Sequence, residues 1–428
     1  MINNKYLKKV PELRFKEFSG EWDTKPYGEI YKFYSTNSLS REKLNYQSGE
    51  VYNIHYGDIH KKFSTMFNLE NENVPFINSD VDLSKIKEEN YCQVGDLVIA
   101  DASEDYIDIG KTIEIISLNG KKTLSGLHTF LARPNKEYVA LGFVGYMLQN
   151  YTVRKQIMKI AQGTKVLSLS TGRLSNIILN LPQKPEQQKI ASFLTTIDTK
   201  IKKLTKKVEL QEQYKKGVMQ KIFNQEIRFK KDDGSEFEEW KEKKLNQLLF
   251  EPKKRNFEKK FNKNDVLSVS GNFGIVNQIE FQGRSFAGAS VDNYHIVEID
   301  DIVYTKSPLK SNPYGIIKVN KHKAGIVSTL YAVYRPKENL NSIYLDYYFQ
   351  LDDNTNRYLR PLVHKGAKND MKINNSHVLS DFITIPEKEE QDKIVLFFIV
   401  LDEKIKQTKI QLAKIKEFKK GLLQRMFV

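Results

Sequence analysis

Four short stretches hold the side chains best suited to chemistry on another molecule. They are Ser103-Glu104-Asp105-Tyr106, Gly163-Thr164-Lys165, Lys306-Ser307-Pro308-Leu309-Lys310-Ser311-Asn312 and His364-Lys365-Gly366-Ala367-Lys368-Asn369. Base edges in a DNA groove are read by paired donors and acceptors, while hydroxyls, backbone amides and lysines hold phosphates. The candidate contacts are therefore Ser103, Glu104, Asp105, Tyr106, Thr164, Lys165, Lys306, Ser307, Lys310, Asn312, Lys365, Lys368 and Asn369. A merely solvated loop explains any one of them equally well. His128 lies inside an apolar run and is expected to be a satisfied core residue.

Catalytic chemistry finds no foothold. Asn312-Pro313-Tyr314-Gly315 is similar to the Asn-Pro-Pro-Tyr loop of adenine methyltransferases but lacks the second proline. No glycine-rich strand-to-helix turn for S-adenosylmethionine precedes it, so the tetrapeptide reads as a β-turn. Carboxylate-x-Lys triplets such as Glu242-Lys243-Lys244 arise by chance in a chain this rich in lysine and glutamate. There is no GxxxxGKS or GxxxxGKT phosphate loop, and the seven histidines and single cysteine, Cys92, show no zinc-ligand spacing. No catalytic, cofactor-binding or metal-binding residue is assigned, and the chain is expected to be non-catalytic.

The elements that carry the loops occur twice. Leu181 to Phe223 returns without a gap as Ile385 to Phe427, with 16 of the 43 aligned positions identical, which marks a true internal repeat. Each copy reads as one helix. Pro182, Pro185 and Pro386 suit a first turn, and Glu186, Glu387, Glu389 and Glu390 complement the positive end of the helix dipole. Apolar residues then recur at spacings of four and three: Ile190, Leu194, Ile197, Ile201, Leu204, Val208, Val218 and Ile222, answered by Ile394, Phe398, Leu401, Ile405, Leu412, Ile415, Leu422 and Met426. That period predicts a coiled-coil seam. A compact body between the helices brings its ends close together, so the helices are expected to run antiparallel. Gly217 and Gly421 occupy equivalent points and are expected to be close-approach points for the other helix or for a partner.

The flanking segments repeat more faintly. Leu13-Arg14-Phe15-Lys16 matches Ile227-Arg228-Phe229-Lys230, Gly95-Asp96-Leu97-Val98-Ile99 matches Asp300-Asp301-Ile302-Val303-Tyr304, and Gly126 to Pro134 matches Gly325 to Pro336. Short β-branched or aromatic runs such as Asp96 to Ala100 and Ile326 to Tyr334 read as strands, and Leu141 to Ile160 and Ile343 to Leu362 as helices. The predicted fold class is α/β (mixed α+β) with an internal two-fold pseudo-repeat. Residues 1–183 and 225–386 form two similar domains, and residues 184–224 and 387–428 two long antiparallel helices in a coiled coil.

Composition fits a polyanionic partner. The 428 residues carry 68 Lys and Arg against 53 Asp and Glu, a formal charge of +15. Cations gain by releasing the counterions condensed on nucleic acid. Lysines on a coiled-coil flank account for part of the same excess. One cysteine permits no internal disulfide, and MINNKYLKKVPELRF lacks the apolar core of a signal peptide. The longest apolar run, Ile394 to Leu401, is too short to span a membrane, and a cytoplasmic location is expected.

With these features in order, the chain resembles the specificity subunit of type I restriction-modification enzymes over nearly its whole length. VPELRFKEFSGEW, GDLVIADASEDYIDIGK, GTKVLSLSTGRLSNIILNLPQKPEQQKIASFL and KKGLLQRMF carry the likeness, and their order and duplication make it specific. The resemblance implies two target-recognition domains on double-stranded DNA, each reading half of a bipartite site, with half-sites centred about 10 bp or slightly more apart. It also implies two adenine methyltransferase subunits clasping the spacer helices and leaves room for a translocating restriction subunit. S-adenosylmethionine and base flipping would belong to those partners. Gly163-Thr164-Lys165 and Gly366-Ala367-Lys368 match a recurrent glycine turn before the spacer, for which the implied role is phosphate contact. Two other readings stand beside this one: a non-catalytic coiled-coil adaptor, and a self-contained DNA methyltransferase or nuclease.

Overall fold

The structure, a computed structural model, describes residues 9–365 and 371–428. Two helices dominate it, Lys184–Phe223 and Lys388–Arg425, of 40 and 38 residues. The chain packs as two compact units, Met1–Lys206 with Lys409–Val428, and Lys207–Thr408. This division cuts each long helix in its middle, after Lys206 in one and after Thr408 in the other. The reason is that each helix begins on its own head and ends in the core of the other unit.

In the first unit a five-stranded sheet runs in the order Tyr31–Tyr34, Thr129–Pro134, Leu97–Ala100, Thr112–Ser117, Met66–Asn68. All its pairings are antiparallel except the last, Met66–Asn68 against Thr112–Ser117. The central strand Leu97–Ala100 is buried on both faces, because alternate side chains point opposite ways. Leu97 and Ile99 join a core with Trp22, Phe143 and Tyr146, while Val98 and Ala100 join another with Ile54, Phe67 and Leu131. The first of these cores also takes in Ile190 and Leu194 from the start of the first long helix, and Leu422, Met426 and Phe427 from the end of the second.

The second unit repeats this plan with fewer strands. Leu249–Phe250, Tyr331–Pro336, Ile302–Thr305 and Ile317–Val319 form a four-stranded antiparallel sheet. Ile302 and Tyr304 face a core holding Ile394 and Phe398 from the start of the second helix and Met219, Ile222 and Phe223 from the end of the first, and Val303 faces the other way.

Matched polar contacts fix each head to the helices. At the helix starts, Gln187 accepts from the Ala140 amide and donates to Tyr138 and Pro182 carbonyls, as Gln391 accepts from Asn341 and donates to Asn339 and Pro386. Arg14 forks onto buried Glu186 at 2.8 and 2.7 Å, and Arg228 onto buried Glu390 at 3.3 and 2.8 Å. The chain also enters both heads alike, with the Leu13 amide donating to the Arg425 carbonyl and the Ile227 amide to the Lys221 carbonyl.

Helix direction can be read within each unit. In the first, Lys419 pairs with Asp198 at 2.6 Å and Tyr146 donates to the same carboxylate at 2.8 Å. In the second, Lys215 pairs with Asp402 at 2.5 Å and Tyr347 donates to it at 2.7 Å. Early positions of one helix meet late positions of the other in both units, which is antiparallel packing, as the repeat predicts. Burial first, then the adjacent carboxylate, raises the pKa of both phenols, which keeps them protonated donors.

The predicted seam residues lie as follows, with two corrections. Ile190, Leu194, Ile197, Val208, Ile222, Ile394, Phe398, Ile405, Leu422 and Met426 are buried, and Ile201, Leu204, Val218, Leu401, Leu412 and Ile415 are half-buried. The apparent gap between Ile405 and Leu412 is filled by Thr408, 4% exposed, whose hydroxyl donates to the Lys404 carbonyl. Its polar label hid a core position.

The second correction concerns Gly217 and Gly421. A Cβ added at either would meet nothing within 4 Å among the described residues, so neither is a close-approach point for the other helix. Gly217→Ala is therefore expected to stabilise the isolated chain by about 0.5–1 kcal/mol, through the smaller entropy loss of alanine in a helix. Urea denaturation of the purified chain checks this, and a destabilised variant would show that the position is crowded.

Candidate nucleic-acid interface

In the first head the two predicted loops are brought together. Ala102–Ser103 pairs antiparallel with Leu167–Ser168, so Ser103-Glu104-Asp105-Tyr106 and Gly163-Thr164-Lys165 lie at the ends of one two-stranded ribbon. Gly163 has φ +129°, and a Cβ there would lie 2.0 Å from the Val166 carbonyl oxygen. Only glycine fits this turn. It leaves Thr164 and Lys165 exposed, and Glu104, Asp105 and Tyr106 are exposed across the ribbon. Arg154 pins the loop by donating to the Ile107 and Ile109 carbonyls.

Ser103 differs from the expectation. Its side chain is buried and its hydroxyl accepts from the Asp105 amide at 3.0 Å, so it shapes the loop instead of facing a ligand. Asp105 accepts from the Ile107 amide at 2.7 Å while its side chain stays at the surface.

Beside this ribbon stands a polar cluster that the sequence did not single out. Buried Asp58 pairs with Arg41 at 2.6 Å and Lys62 at 2.9 Å. Burial alone would raise the Asp58 pKa, but hydrogen bonds from the two cations outweigh it and hold the carboxyl below its usual range. Burial, helped by Arg41, lowers His55 to about 4, so this histidine is neutral and caps a short helix by accepting from the Gly57 amide. His128 is a correction. It sits in a turn at φ +53° with its side chain 51% exposed, Nδ1 lying 3.3 Å from Asp101 Oδ1 and the ring against Tyr56 at 5.2 Å. The apolar run holds the strand inside and lifts this one residue out at its end.

In the second head Lys306 is half-buried, and burial lowers its pKa against the opposing pull of Glu251. Ser307 and Lys310 are exposed. Asn312 is buried, its carbonyl accepting from the Leu309 and Gly315 amides and its Oδ1 from the Ser311 hydroxyl. It closes the Asn312-Pro313-Tyr314-Gly315 turn and is not placed to touch a base. Gly315, at φ +93°, would put a Cβ 2.1 Å from the Thr305 oxygen, which explains the glycine. Lys365 lies in a strand, His364–Lys365, paired with Met371–Lys372. Lys368 and Asn369 lie outside the described residues.

A further element of the second head went unread. Lys253, Lys254, Lys259, Lys260 and Lys263 are exposed around Phe257, 64% exposed, on a loop with one acidic residue, Glu258. Wholly buried Asn256 anchors it by donating to the Phe261 and Val291 carbonyls and accepting from the Phe261 amide. Cations interleaved with an aromatic suit a polyanion. The signal was the charge run itself, masked by the lysine-rich background.

Both heads present their loops from a stiff central sheet. Arg133 forks onto buried Asp96 at 2.9 and 2.8 Å, and Arg335 onto buried Asp301 at 2.8 and 2.9 Å. Each pair ties the central strand to its neighbour at the end of the strand away from the loops. Among the described residues no group of three or more His, Cys, Asp and Glu could hold a metal, and no helix is long and apolar enough to cross a membrane.

Comparison with known proteins places this geometry. Residues 21–212 match the family described as type I restriction modification DNA specificity domain. A putative type I restriction enzyme MjaX specificity subunit of Methanocaldococcus jannaschii is 24% identical over 376 residues, which cover 81% of this chain and 83% of that protein. Among solved structures, the type I restriction-modification S subunit from M. genitalium aligns with a TM-score of 0.55 at 13% identity, covering 98% of this chain and 99% of that one. That last likeness is one of fold.

Proposed function

We propose, since residues 21–212 match the type I restriction modification DNA specificity domain family and the second half of the chain repeats the first, that this is a specificity subunit of that kind in which each head reads one half of a bipartite DNA site. The antiparallel helices set the separation of the halves and offer the surface on which methyltransferase subunits dock. Methyl transfer, with its S-adenosylmethionine, belongs to those partners, and this chain contributes recognition. One observation carries the reading: both heads are locked to the helices by the same Arg–Glu, Gln and Asp–Tyr–Lys contacts while their loops differ. Anchorage is repeated and the exposed chemistry is not, which is what two readers of different half-sites require. A plain coiled-coil adaptor would have no use for the second part.

The test is selection of random duplexes by the subunit assembled with its methyltransferase partner. Two specified blocks around unspecified bases at a fixed gap support the proposal, and a single contiguous motif or no enrichment contradicts it. The basic loop gives a second prediction. The variant Lys259→Ala, Lys260→Ala, Lys263→Ala is expected to weaken binding alike for all sequences and to flatten the log–log salt dependence by roughly 0.9 for each phosphate that is no longer neutralised. An unchanged slope in a salt titration would show that the loop stands clear of DNA.

A further inference from the structure

The heads can be superposed in sequence through their Arg–Asp forks, and five residues before Arg133 and Arg335 stand His128 and Leu330. Both occupy the turn that leads into the strand beside the central one, Thr129–Pro134 in one head and Tyr331–Pro336 in the other. The turns are closed in the same place, by the Thr129 hydroxyl donating to the Gly126 carbonyl and the Tyr331 amide donating to the Ser328 carbonyl. Across each turn begins the candidate loop of that head. The Asp101 amide donates to the His128 carbonyl, and Thr305, which precedes Lys306, pairs with Tyr331.

Both side chains are held out at a cost. His128 adopts φ +53°, a conformation L residues occupy reluctantly, and Leu330 is 73% exposed. Neither serves its own core. Leu330 bears no charge and cannot hold a phosphate. The apolar feature that the major groove offers such a side chain is the thymine methyl group. His128 has Asp101 3.3 Å from Nδ1, which draws the imidazole proton to that side and leaves Nε2 to accept from an exocyclic amine, on adenine or cytosine.

We infer that this turn is a base-reading element in both heads, and that the His128 and Leu330 difference makes the two half-sites differ, with Leu330 reading a thymine methyl and His128 an exocyclic amine. The inference rests on the proposed function and deepens it. Rigid support is what such a role needs, and the turns spring from the strands that the Arg133 and Arg335 forks lock in place.

The experiment uses the full chain in complex with its methyltransferase partner. Duplex selection first defines the site of the wild type; if no bipartite site emerges there, the proposed function fails and with it this inference. Given a site, Leu330→Ala is expected to relax one thymine position in one half-site by roughly five- to tenfold, leaving the other half-site and the gap unchanged. Replacing that thymine by uracil, which lacks only the methyl, is expected to weaken the wild type by a similar factor and the variant not at all. His128→Ala is expected to relax one position in the opposite half-site. If both variants keep the wild-type preferences at every position, or lose affinity equally for all sequences, the turns do not read bases and the inference is overturned while the proposed function stands.

Discussion

Replacing Arg228 by methionine is expected to destabilise the second unit by about 3 kcal/mol or more, because it strands an ionised carboxylate in a low-dielectric interior. Glu390 is fully buried and is held by the Arg228 fork and by Trp240 Nε1 at 3.1 Å. Arg228 also donates to the Glu238 carbonyl at 2.6 Å, so its loss frees the segment that leads into the head. Removing both charges together, Arg228→Met with Glu390→Met, is expected to recover much of the loss, since a well-packed apolar pair replaces the ion pair without burying a lone charge. Hydrogen exchange is the suitable measurement, because a two-unit chain need not unfold in one step. The single variant is expected to lose protection in Lys207–Thr408 and keep it elsewhere. A change below about 0.5 kcal/mol would mean that water or another donor takes over the carboxylate.

The second large effect is on the target. Adding seven residues to each long helix, beside Lys206 in one and Thr408 in the other, keeps the seam in register because the apolar repeat is a heptad. It lengthens the pair by about 10 Å, which is about 3 bp along a duplex. The gap between half-sites is expected to grow by that amount, with both half-site sequences unchanged. Sequencing of modified adenines in a host carrying the variant checks this, and an unchanged gap would remove the helices from the control of spacing.

What the sequence made legible follows from what repeats and what does not. A heptad written twice reports directly on two paired helices, and prolines and acidic residues mark where each begins. The GD and DD pairs before the central strands could also be read, because Gly95 and Asp300 share positive φ and the next residue, Asp96 or Asp301, forks with an arginine. Burial within loops was not legible. Ser103 and Asn312 look like surface polar residues but turn their side chains to neighbours in the same loop, the Asp105 amide and the Ser311 hydroxyl, which residue type alone does not reveal. Thr408 and His128 erred in opposite directions, since one hydroxyl satisfied by its own helix belongs in a core and one ring at the end of an apolar run does not. Gly217 and Gly421 show that repetition marks a shared constraint without naming it: among the described residues nothing crowds them.

The central claim is that two related heads, set on antiparallel helices, each read half of one site. Its most direct test is a chimera in which the second head, Ile227 to Pro386, is replaced by a second copy of the first, Leu13 to Pro182, followed by duplex selection with the methyltransferase partner bound. Antiparallel mounting predicts that the enriched site becomes an inverted repeat of the first half-site at the original gap. A direct repeat, or a motif that still contains the second half-site, would contradict it.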